Sequence, residues 1–290
     1  MQPHIQLLRP LNSAMAAVAV FVGALVATGY SLFSSPHLIG MGVAMLVAFI
    51  YTGAGNALND YYDRFTDRVN HPTRPIPRKK ITPRAAKELA GILFGLGALL
   101  ALFIGWPDFN LLCLAVALVN GVLLAGYEMR LKRLGFVGNL TVSWLTASLF
   151  LFGGASVVSD PGPTIFPLPV IILAMLAFLA SVGREIIKGI EDVRGDRDRK
   201  TLPRTIGVRR AGYMAAGWTC AAIALSPLPV YPLGLFSPWL YLPIVVFADG
   251  IFIYSVFVVF KNAAIASKTT KLAMVAALLA FLAGAMTVVR

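Results

Sequence analysis

Residues 59–67 read NDYYDRFTD, which sets Asn59, Asp63 and Asp67 four residues apart with Asp60 beside the first. At about 100° per residue on an α-helix, each step of four turns a side chain by roughly 40°, so the three form one polar stripe. A second acidic run, GREIIKGIEDVRGDRDR, sets Glu185, Asp192 and Asp196 seven and four residues apart. They fall within about 40° of one another on a helix. Like charges at such spacing repel unless cations hold them. Oxygen ligands without His or Cys companions favour Mg²⁺, which commonly joins one or two carboxylates to substrate phosphates. The Lys and Arg surrounding both runs suit a diphosphate. Simple pairing of acids with neighbouring Arg and Lys on a solvated loop accounts for Glu191 and Asp198, which lie off the stripe, better than for two aligned sets.

The elements that must carry these stripes are apolar. The chain is 58% hydrophobic and 13% charged, with a mean hydropathy of +0.78, far from the usual soluble range. A bilayer core needs roughly 20 apolar residues per helix, with every backbone polar group paired inside the segment. The sequence predicts an all-α, multi-pass membrane bundle of about nine helices, at 14–33, 38–58, 86–106, 110–127, 138–158, 167–187, 211–229, 238–260 and 271–289, with edges good to about three residues. A Gly105-Trp106-Pro107-Asp108 turn divides the third from the fourth. The first span is too long for a cleavable signal and is expected to be retained.

Of 25 Lys and Arg, all but Arg290 lie before the first span, in the segments after spans two, four, six and eight, or, as with Lys87, Arg184 and Lys271, within about three residues of the span edges that border those segments. The positive-inside bias then makes that face cytoplasmic, with the N-terminus inside and the C-terminus outside. The formal charge of +12 marks a one-sided membrane face rather than a nucleic-acid site. Cys113 and Cys220 lie in separate apolar spans and predict neither a disulfide nor a thiol metal site. His4, His37 and His71 are too scattered for zinc, and no protein partner is evident.

NDYYDRFTD matches the NDxxDxxxD motif of the UbiA superfamily of intramembrane prenyltransferases. Glu185, Asp192 and Asp196 stand where that family has a second motif, D-x₆-D-x₃-D, with Glu replacing the first Asp. HPTRPIPRKKIT resembles the family's Arg-Pro loop, and YEMRLKRLGFVGN its segment between spans four and five. Arg78-Lys79-Lys80 stands where many members have Ser-Gly. The resemblance covers nearly the whole chain, a single domain over 1–290 whose motif-bearing halves run roughly over 1–134 and 135–290. RPLNSAMA, GREIIKGIEDVRGD and TLPRTIG most resemble the archaeal digeranylgeranylglyceryl phosphate synthase branch.

That resemblance implies two Mg²⁺ ions bridging a prenyl diphosphate, whose allylic C–O bond breaks in a hydrocarbon-walled site. In this branch it implies transfer of a geranylgeranyl group to the glycerol hydroxyl of geranylgeranylglyceryl phosphate. Asn59, Asp63 and Asp67 are expected at one metal, and Asp192 and Asp196, with Glu185, at the other; Asp60 is a ligand or orients one. Arg74, Arg78, Lys132 and Lys188 are candidates for phosphate contact, against surface anchoring. Arg9 reaches the acceptor phosphate or snorkels, and Tyr127 orients diphosphate or sits in the interfacial belt. Asp249, in mid-span, is expected to hydrogen-bond structurally. The loop 68–82 is expected to be a partly mobile lid that orders on ligand binding. Prenylation of an aromatic acceptor (4-hydroxybenzoate or naphthoate type) and anion or lipid transport are the alternatives.

Overall fold

The computed structural model describes residues 2–34, 37–106, 109–157, 166–193 and 200–288. Its regular structure there is helical: α1 (Pro3–Leu8), α2 (Pro10–Thr28), α3 (His37–Tyr62), α4 (Asp67–Asn70), α5 (Pro83–Ala101), α6 (Leu111–Met129), α7 (Phe136–Ser156), α8 (Leu168–Asp192), α9 (Leu202–Ile206), α10 (Val208–Leu225), α11 (Pro238–Val258) and α12 (Ala263–Ala285). Nine of these are long, in agreement with the nine predicted spans. Seven are long and apolar enough to cross a membrane. The exceptions are α5, which carries Arg84, Lys87 and Glu88 near its start, and α10, which opens on Val208-Arg209-Arg210.

Helix ends follow local chemistry. Pro83 occupies the first position of α5, where its missing N–H costs nothing, and Thr82 Oγ1 caps it by accepting from Ala85 N at 3.2 Å. Asn110 caps α6 through a bond from Cys113 N to its Oδ1 at 2.8 Å. The expected break between the third and fourth spans lies between Ala101 and Leu111, with Gly105 at φ +81°, a backbone region that favours glycine. α12 begins at Ala263, capped by Asn262, rather than at 271. That places Lys268 and Lys271 inside the helix.

The central core joins α2, α7, α8, α11 and α12 through Leu25, Phe150, Leu173, Tyr241 and Phe281. Large apolar residues also cover the outside, with Ile39, Val122, Trp239 and Phe257 among the most exposed. An apolar exterior of this kind is what lipid solvates. α2 and α7 touch at glycines: a Cβ on Gly23 would meet the Phe150 backbone, and one on Gly153 the Val20 backbone. Such close approach is how small residues pack helices in lipid. Gly153→Val is expected to wedge the pair apart and destabilise the bundle by about 1–3 kcal/mol. A lower apparent Tm in detergent would register this, and an unchanged Tm would contradict the contact. Asp249 has the expected structural partner, accepting from Ser226 Oγ at 2.7 Å.

Candidate active site

The first acidic stripe survives the end of its helix. α3 stops at Tyr62, but Asp63 N bonds Asn59 O at 2.8 Å and Asp67 N bonds Asp63 O at 2.8 Å. The helical spacing therefore continues into α4. Asn59 is the hub: its Oδ1 accepts from Arg9 at 3.1 Å, and its Nδ2 donates to Asp63 at 2.9 Å and to Glu128 at 3.0 Å. Lys132 Nζ bridges the same two acids, at 2.5 Å from Asp63 Oδ1 and 2.6 Å from Glu128 Oε2. Arg74 Nη1 bonds both carboxylate oxygens of Asp67, at 2.7 and 2.6 Å, and lies 3.5 Å from Asp60. Asp60, 1% exposed, also pairs with Arg9.

Arg9 sits between α1 and α2 with φ 47° and ψ 68°. A non-glycine residue there is strained by roughly 1–2 kcal/mol, and the gain is a guanidinium aimed at Asn59 and Asp60. The Leu8 carbonyl beside it is held by Asn56 Nδ2 at 3.0 Å.

The second stripe enters from α8. Glu185, 6% exposed, pairs with Arg184. Asp192 Oδ1 lies 3.7 Å from His71 Nε2, and the Asp192 carbonyl accepts from Asn70 Nδ2 at 3.3 Å, so the two stripes meet. Burial, then the Arg74 charge, holds His71 below its ordinary pKa despite Asp192. Burial raises Asp67 to about 6; Arg74 opposes this, and Asp63 and Asp60 reinforce it. Burial and the neighbouring carboxylates thus outweigh Arg74 at Asp67, a situation that a divalent cation beside it would relieve.

A small polar pocket of about 80 Å³ lies between the stripes, bordered by Asn59, Asp63, Asp67, Glu185 and Asp192. Tyr127, Lys132 and Lys188 border it too. Among the described residues no three His, Cys, Asp or Glu form a ready-made metal cage. Mg²⁺ does not require one, since it keeps waters and takes substrate phosphate oxygens for its remaining positions. The oxygen-only donor set therefore fits it. Asp196 lies outside the described residues. Beneath the pocket, a second cavity of about 380 Å³ runs between the helices, walled by Ala19, Val47, Leu149, Phe152 and Leu176. Asn59, Tyr127, Glu185 and Lys188 border both spaces. A charged, polar pocket thus adjoins a largely apolar chamber.

A match to the UbiA prenyltransferase family model spans residues 16–283. This chain belongs to the UbiA prenyltransferase family. Among its UbiA relatives, a digeranylgeranylglyceryl phosphate synthase of Methanococcoides burtonii is 39% identical over 98% of this chain and 100% of its own. One from Natronomonas pharaonis is 42% identical over 73% of this chain and 71% of its own. A solved structure described as concerning digeranylgeranylglyceryl phosphate synthase in membranes aligns with a TM-score of 0.72, at 33% identity and 98% coverage of both chains. A UbiA homologue from Archaeoglobus fulgidus bound to DMAPP and Mg²⁺ aligns with a TM-score of 0.66 over 99% of this chain and 100% of its own. Its 16% identity makes that a likeness of fold. UbiA homologues thus bind Mg²⁺ and prenyl diphosphates in this architecture, and the chain is a multi-pass integral membrane protein.

Two sequence expectations change. Arg78 is exposed and borders neither space, whereas Arg74, four residues earlier, is ion-paired with the acids. The loop 68–82 is packed rather than loose: Ile76 and Ile81 are buried against Leu7, Leu58 and Ala86, and Lys79 N and Lys80 N bond the Ile76 and Pro75 carbonyls. Asp60 and Asp67 already neutralise Arg74, one of the loop's cations, without a ligand. Glu128 is the residue the sequence reading missed. Its spacing of four from Lys132 was the available signal.

Proposed function

We propose that this protein transfers a geranylgeranyl group from geranylgeranyl diphosphate to the glycerol hydroxyl of geranylgeranylglyceryl phosphate. The product is a diether lipid of the archaeal type. The observation that carries the proposal is an acid-lined polar pocket adjoining a largely apolar chamber, with Asn59, Tyr127, Glu185 and Lys188 on their shared border. The relatives named above support the choice of acceptor.

In this reading Asn59, Asp63 and Asp67, with Asp60, hold one Mg²⁺, and Asp192 and Asp196, with Glu185, hold another. Held by these residues, Mg²⁺ would supply charge neutralisation for the departing diphosphate. Arg74, Lys132 and Lys188 hold diphosphate oxygens, and the Tyr127 hydroxyl orients them. The C1–O bond breaks with its electron pair leaving on diphosphate; the glycerol oxygen bonds C1 and gives its proton to the released diphosphate. The apolar chamber keeps water from the allylic cation. The one-sided distribution of Lys and Arg supports a cytoplasmic pocket and N-terminus in this reading.

An acceptor panel tests the assignment. Purified protein with geranylgeranyl diphosphate and Mg²⁺ is offered geranylgeranylglyceryl phosphate, 4-hydroxybenzoate or a naphthoate, and products are weighed by mass spectrometry. The diether is expected from the first alone. Transfer only to an aromatic ring would overturn the acceptor, and no transfer to any would overturn the prenyltransferase reading.

A further inference from the structure

The two spaces differ in charge balance. The polar pocket faces Asp63, Asp67, Glu185 and Asp192 against Arg74, Lys132 and Lys188. The large cavity faces Arg9, Arg184, Lys188 and Lys271 against only Glu128 and Glu185. Of the cavity's charged residues, Arg9 pairs with Asp60 and Glu128 with Lys132, both partners lying outside the lining, while Arg184 pairs with Glu185. Among the described residues, no carboxylate lies within ion-pair distance of Lys188 or Lys271, although the Lys188 charge acts on Glu185. Lys188 borders the polar pocket as well, so it is placed for the diphosphate. Lys271 borders the large cavity alone.

Lys271 is not an interfacial anchor. Lys268, one turn earlier on α12, is exposed, while Lys271 turns inward and its Nζ donates to Asn12 Oδ1 at 3.0 Å. That bond uses one of three ammonium protons. Arg184, Arg9 and Lys188 all act electrostatically on it. Gathering cations in an otherwise apolar chamber is costly without an anion to share. The diphosphate cannot be that anion if the acidic stripes hold it with metal. A second anion is called for, on the side of the shared border away from the stripes.

We propose that Lys271, Arg184 and Asn12 bind the phosphate monoester of the acceptor, and that Lys271 selects a phosphorylated glycerol lipid over its uncharged counterpart. This rests on the activity proposed above. One anion then lies in the acid-lined pocket and the other in the cationic corner. The glycerol hydroxyl, a few bonds from its phosphate, lies at the border between them.

The test compares geranylgeranylglyceryl phosphate with geranylgeranylglycerol, its dephosphorylated form, under saturating geranylgeranyl diphosphate and Mg²⁺. Wild-type protein is expected to prefer the phosphorylated acceptor. Lys271→Met is expected to cut that preference about 30-fold, the size of one lost hydrogen bond to a charged group. The loss should appear in the KM for the phosphorylated acceptor rather than in the KM for geranylgeranyl diphosphate, and Lys271→Arg should recover most of it. A loss falling equally on both acceptors, or on the KM for the diphosphate, would overturn the subsite, as would no loss. A wild-type protein that uses both acceptors equally would also overturn it while leaving the proposed activity standing. A wild-type protein that uses neither would instead defeat the activity itself.

Discussion

Asp63→Ala is expected to lower kcat by at least about 10²–10³-fold, the loss typical of removing one group that stabilises transition-state charge, with the protein still folded and inserted. The structure separates these outcomes. Asp63 shares Lys132 with Glu128, so its removal leaves the buried lysine paired. What is lost is a carboxylate facing the polar pocket on the stripe that begins at Asn59. Asp192→Ala should behave alike from the other wall, because among the described residues its side chain's ion contact is a long one, to His71 at 3.7 Å. Glu88→Ala is the control, since Glu88 pairs with Arg84 on an exposed turn, where such pairs contribute little. Near-wild-type turnover in either active-site variant would contradict the two-stripe arrangement.

Lys132→Met should do the opposite and destabilise the protein. Lys132 is buried between Asp63 and Glu128, and removing it leaves two carboxylates facing each other without a cation. Breaking a buried pair in this way costs about 3–5 kcal/mol. A clear fall in apparent Tm is expected in metal-free detergent, and a smaller fall when Mg²⁺ and diphosphate are supplied, because added cations relieve the same repulsion. Equal melting of variant and wild type would show that Lys132 does not hold the acids together. The contrast with Asp63→Ala distinguishes a residue that carries chemistry from one that also carries the fold.

The acidic motifs were legible in the sequence because residue type and a period near four encode a stripe whatever surrounds it. The nine long helices were legible because lipid demands long apolar runs. The ends were less so: α3 runs on to Tyr62 and α8 to Asp192, since a helix continues past the apolar limit while backbone bonds are available. Glu128 escaped notice because one acid at the end of an apolar helix has no pattern of its own. Its role arises from Lys132 and Asn59, the latter 69 residues away in sequence. Lys271 escaped because α12 begins before the apolar run does, which made an inward lysine resemble a flanking one. The loop 68–82 was less legible because its state depends on residues outside it, Asp60 in α3 and Leu7, Leu58 and Ala86, against which Ile76 and Ile81 pack, together with the Asp67–Arg74 pair.

The most direct measurement is the stoichiometry of diphosphate and ether product in the purified protein, given geranylgeranyl diphosphate and geranylgeranylglyceryl phosphate with Mg²⁺ or with a chelator. If the two carboxylate stripes hold a metal-bound diphosphate for transfer, one diphosphate appears per diether formed. Both products vanish on chelation and in an Asp63→Ala, Asp192→Ala double variant, and Mg²⁺ restores them only to the wild type. Diether formation that persists in the chelator or in the double variant would contradict the account.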